Sequence, residues 1–86
     1  MSYLYDNITT ATTTTVKSGQ GVLKRIVINE TAAGTITIYD NTAGSGTLIG
    51  TLKASIAEQS LEFDAHFTTG LTIVTAAASD ITVMYE

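Results

Sequence analysis

The chain has no cysteine, no proline, no tryptophan, one histidine and four cationic residues among 86. Without cysteine there are no disulfides and no thiolate metal sites. A lone histidine argues against zinc. Four cations cannot form a stripe that tracks phosphates, so nucleic acid is not expected as a partner. No apolar run approaches the roughly 20 residues of a membrane span. The opening Met-Ser-Tyr-Leu-Tyr-Asp lacks the basic region and apolar core of a signal peptide. The expectation is a soluble protein made in a cytoplasm, with no membrane partner and no cofactor. The lack of proline also leaves sheet edges without one of their usual guards.

Eighty-six residues make one domain. A domain this small buries only about 60–65% of its unfolded surface and is marginal alone. With disulfides and metals set aside, oligomerisation or docking on a larger body is the remaining support. Apolar residues reach 44% and mean hydropathy is +0.26, while charged residues make up 14% and the net charge is −4. So apolar a composition on so small a body predicts that some apolar surface meets a partner.

What the chain has in abundance is threonine, 17 residues of it. Three stretches alternate Thr with a large apolar residue: Thr35–Tyr39, Leu71–Thr75 and Ile81–Tyr85. A period of two with β-branched residues marks a half-buried strand. Further strands are expected over 22–29, 47–53 and 60–67. In 22–29, Val22, Ile26 and Ile28 are expected on one face and Leu23 and Val27 on the other, with Lys24 and Arg25 one per face. In 47–53, Leu48 and Leu52 share a face, and Gly50 between them suggests a bulge. In 60–67, Leu61, Phe63, Ala65 and Phe67 point inward, while Glu62, Asp64 and His66 point outward. Residues 54–59 have room for one helical turn.

Residues 9–15 carry threonines without apolar partners, so 1–15 reads as an extended arm or edge strand outside a domain of residues 16–86. About seven to eight strands at ~8–12-residue spacing predict an all-β fold, a small antiparallel β-sandwich of jelly-roll or Greek-key type. An oligonucleotide-binding-type barrel and an immunoglobulin-like sandwich are alternatives.

Little in the sequence speaks for catalysis. Glu62, Asp64 and His66 share one strand face, where side chains diverge rather than converge on a cation. Asp40–Gly46 lacks the carboxylates and closing Glu of a calcium loop. Gly19-Gln20-Gly21 opens no helix, so no phosphate cradle forms there. Gly44-Ser45-Gly46 is no nucleophile elbow. No catalytic, cofactor or metal residues are assigned, and an enzyme is not expected. Tyr3, Tyr5, Tyr39 and Tyr85 leave open a glycan-stacking platform.

The segments Val16–Asn29, Ile36–Ala43, Phe67–Val74 and Asp80–Glu86 resemble short all-β virion proteins of tailed bacteriophages, over roughly residues 16–86. Such proteins are similar to capsid decoration, or cement, proteins. The resemblance implies a non-enzymatic structural protein on the capsid exterior, made in the host cytoplasm. It would be a homo-oligomer, trimeric by preference, bridging subunits of the major capsid protein or other virion proteins. A tail, baseplate or fibre component and a glycan-binding sandwich are the alternatives. The expected partner interface is Tyr3, Leu4, Tyr5 and Met84, with the arm supplying reach.

Overall fold

The computed structural model describes residues 4–86. Among them are eight strands and no helix: β1 (Leu4–Ile8), β2 (Thr13–Ser18), β3 (Gly21–Glu30), β4 (Ile36–Asp40), β5 (Thr47–Leu52), β6 (Ser60–Phe67), β7 (Gly70–Thr75) and β8 (Asp80–Tyr85). They form two four-stranded sheets of order β1-β8-β3-β6 and β2-β7-β4-β5, antiparallel throughout. The expected all-β sandwich is what the chain forms.

The pairing is nested. β1 pairs with β8, β2 with β7, β3 with β6 and β4 with β5. The chain is in effect one long antiparallel hairpin, bent so that successive pairs fall in alternate sheets. Two further pairings, β3 with β8 and β4 with β7, join the nested pairs within each sheet. The result is a slab of about 30 × 29 × 17 Å. Between the sheets lie Ile26, Ile81 and Val83 from the first and Ile38, Leu71 and Ile73 from the second, each fully buried. Phe67, also fully buried, is the one Phe or Tyr side chain among the described residues that enters this core completely.

The Thr–apolar alternation works as its period requires. Ile36 and Ile38 are buried with Thr37 between them, and Ile81 and Val83 with Thr82 between them. β3 and β5 depart from strict alternation, as does β2, whose register shifts between Thr15 and Lys17. In β3 the register shifts between Leu23 and Arg25, leaving Lys24 extra relative to β8. Leu23 is therefore buried together with Ile26 and Ile28, while Val22 lies half-buried on the other side. Lys24 and Arg25 both turn outward, where they pair with Asp64 at 3.1 Å and Glu62 at 3.4 Å. A bulge inserts one residue and switches the face of everything beyond it, so the expected division of β3 into faces was wrong on the N-terminal side of Lys24.

The same device corrects β5. Ile38 pairs with Gly50 but Tyr39 pairs with Leu48, which leaves Ile49 as the inserted residue beside the expected Gly50 irregularity. Leu52 is buried, whereas Leu48 is thrown outward and is 55% exposed. Residues 54–59 form turns and bends without a helical turn, and Ser55 takes a φ of +57°.

The expected boundary at 15/16 does not divide the molecule. β2 runs through it, and residues 4–8 are hydrogen-bonded to β8 as an edge strand with Ile8 buried in the core. Residues 4–8 and 13–18 form edge strands of the two sheets. Main-chain pairing and the burial of Ile8 outweigh the weak side-chain pattern that made this stretch look separate.

Candidate partner interface

Two of the expected interface residues meet. Tyr5 and Met84 are cross-strand partners on the outer face of the first sheet, in a row that continues to Arg25 and Glu62. Leu4 lies opposite Tyr85, on the core-facing side of β1. Tyr3 falls outside the described residues. Tyr5 is 71% exposed and Leu4 57%; with Leu48 they are the large hydrophobic side chains most open to solvent among the described residues. Met84, expected to face outward, does so but is half-buried between Tyr5 and Arg25.

The four sheet edges are unequal. β2, β5 and β6 each carry a register shift against their neighbour. Asp64 of β6 even adopts a φ of +50°, a strained value for a non-glycine residue. Bulges twist an edge away from incoming strands and are a standard guard against unwanted pairing. β1 has none: its register runs unbroken from Leu4 opposite Tyr85 to Ile8 opposite Ile81.

Sequence reasoning missed Asp6. It sits between Leu4 and Ile8 on the core-facing side of β1, half-buried, in the row of Val83, Ile26 and Leu61. Among the described residues its carboxylate has neither a hydrogen bond nor an ion pair, unlike Asp64 and Glu62. The signal was available: in Leu4-Asp6-Ile8 a charge occupies the middle of an apolar stripe of period two.

The second sheet presents a different outer face. The loop from Asn41 to Gly46 folds back over it. Thr72 points outward from β7 yet is fully buried, donating its hydroxyl to the Asn41 carbonyl at 2.7 Å. Thr15 donates to the Thr42 carbonyl at 3.2 Å. Gly44 comes so close that a Cβ there would stand 2.9 Å from Val74 Cγ2 and 3.1 Å from Thr13 Cγ2. The loop closes on itself through Asn41, whose amide donates to the Ser45 carbonyl at 2.7 Å, beneath Gly46 at φ +98°.

Asp40, which starts this loop, turns its carboxylate the other way. It accepts from the backbone N–H groups of Thr68 at 3.1 Å, Thr69 at 2.9 Å and Gly70 at 3.4 Å, and from the Thr68 hydroxyl. Those donors, Thr69 foremost, hold its pKa below the ordinary carboxylate range. The carboxylate is committed to the turn between β6 and β7, which takes it out of any cation loop. Glu62 and Asp64 are likewise committed, to Arg25 and Lys24.

Among the described residues the tyrosines do not assemble into a stacking platform. Tyr5 lies on the outer face of the first sheet, Tyr39 beside Thr72 and Leu48 in the second, and Tyr85 packs against the core.

No family model and no curated protein matches the chain. Among solved structures it is similar to the crystal structure of Drosophila NLP-core, described as providing insight into pentamer formation and histone binding. The TM-score is 0.59 at 14% identity, over 100% of this chain and 97% of that one. At that identity the likeness is one of fold.

Proposed function

We propose that the chain is a non-enzymatic structural protein of a tailed-phage virion, a capsid decoration protein that clamps neighbouring subunits of the shell from outside. The observation that carries this reading is how its side chains are used. Asp40, Glu62, Asp64 and Lys24 are paired within the chain itself, while Leu4 and Tyr5 stand exposed on an unguarded edge. That division suits a part that docks. Part of the proposal is that the nested strand order belongs to a jelly roll, in keeping with the resemblance to small virion proteins. Clamping draws its strength from buried interface, about 800 Å² per partner for a stable contact.

Self-association belongs to the proposal, with a trimer as the preferred form. The likeness to a pentamer-forming core makes a five-membered ring the specific alternative, and native mass spectrometry separates the two. The deciding experiment is co-sedimentation with emptied shells of the particle whose genome encodes the chain. Saturable binding at hundreds of copies per particle supports decoration. A few copies per particle moves the assignment to a tail or fibre part, and a stable monomer that leaves empty shells bare overturns it.

A further inference from the structure

We infer that the free edge of β1 is a strand-acceptor site. It takes an extended segment of the partner protein as a fifth strand of the first sheet, with a Lys or Arg of that segment opposite Asp6. The inference rests on the virion reading only for the partner's identity, a shell subunit. Four observations on this chain converge on the site.

First, β1 is the one edge of the four whose register is unbroken, so its outward main-chain groups lie in line for pairing. An added strand gains main-chain hydrogen bonds along its length and needs no pocket. Second, Leu4 and Tyr5 lie next to each other on this edge and point to opposite sides, so a strand laid beside them covers one with each face. Third, Asp6 is half-buried as a residue between Leu4 and Ile8, and its carboxylate has no partner among the described residues. A carboxylate in that position repels an apolar or acidic strand and favours a basic one.

Fourth, the chain's own sequence disfavours a second copy as the occupant. Full antiparallel pairing of β1 with another β1 sets Asp6 opposite Asp6, a destabilising like-charge pair. Nor does another edge of this chain offer a cation in mid-strand on an unbroken register. Lys24 and Arg25 lie on the central strand β3 and are ion-paired. Lys17 follows the β2 bulge, with its ammonium beside Gly21, and Lys53 lies beyond the end of β5. Asp6 thus does two jobs: it disfavours self-pairing and selects a basic partner strand.

The test measures binding of the intact chain to emptied shells, with amide hydrogen exchange read on the bound protein. On binding, β1 amides should slow by roughly tenfold or more, while those of β2, β5 and β6 stay as in the free protein. Asp6→Lys should weaken shell binding by roughly tenfold or more, and Leu48→Glu on β5 should leave it unchanged. Asp6→Val should weaken it too and induce concentration-dependent self-association. Circular dichroism melts of all three variants confirm that the fold is kept. If wild-type protein binds shells but β1 amides stay unprotected and Asp6→Lys binds normally, the strand-acceptor site is wrong while decoration stands. If Asp6→Val self-associates yet binds shells normally, Asp6 is a guard alone and the basic-partner claim falls. If wild-type protein does not bind shells, the decoration reading fails and this inference falls with it.

Discussion

At the scale of single residues, Asp40 bears more than its place in a loop would suggest. One carboxylate gathers three successive backbone N–H groups and so fixes the turn that passes the chain from the first sheet to the second. Its pKa is depressed in the folded state, so its contribution is present above the unfolded carboxylate value near 3.9. It is lost as pH falls through the lower, folded value. Asp40→Asn should therefore melt below the wild type at pH 7, and the gap between the two melting temperatures should close in strong acid. A gap that persists unchanged at low pH would show that ionisation is not what holds the turn. None of this was legible in sequence. Asp40 reads as a loop residue because its partners lie 28 to 30 positions away, and only the folded sheets bring them together. Gly44 was legible as a turn former, but not as the point where the loop lies against Val74 and Thr13.

At the scale of elements, strand existence was written in the pattern and strand facing was not. The stretches at 36–40, 60–67 and 81–85 alternate cleanly and fold as read. β3 and β5 also formed where expected, yet each conceals one inserted residue, Lys24 and Ile49, that reassigns faces. A bulge is a property of two paired strands, so one strand's sequence cannot locate it. β1 was the hardest to see. In five residues it buries one side chain fully, Ile8, too little to outshine the threonines that follow. Its role is nonetheless structural, because it covers the β8 edge from Ile81 to Tyr85. Deleting residues 1–8 should lower the melting temperature sharply and promote aggregation through the bared β8 edge. A truncated chain that melts like the full one would restore the detached-arm picture. The sequence reading put partner contact at Tyr3, Leu4, Tyr5 and Met84; it left out Asp6, the carboxylate between Leu4 and Ile8 on the same edge.

At the scale of the whole molecule, nested pairing makes the fold's contacts long-range from the outset. Closing β1 against β8 joins residues as far apart as Leu4 and Tyr85. Folds dominated by such pairings fold slowly, in about milliseconds to seconds. The core is thin, and Phe67 is its fully buried phenylalanine, with Phe63 packed against the cluster. Phe67→Ala should cost about 3–5 kcal/mol in urea unfolding. That is a large share of the roughly 4–13 kcal/mol expected of a chain this size. A loss under about 1 kcal/mol would mean the sheets close over the gap. The same thinness explains why composition pointed to a partner: two four-stranded sheets of this length leave apolar side chains with nowhere further to go.

The fold-back of residues 41–46 gives the slab a front and a back. One broad face is partly covered by the chain's own loop, with Thr72 shut beneath it. The other keeps the open row of Tyr5, Met84 and Arg25. The two broad faces therefore differ in kind, and a partner meeting one finds a folded-back loop where the other offers an open sheet.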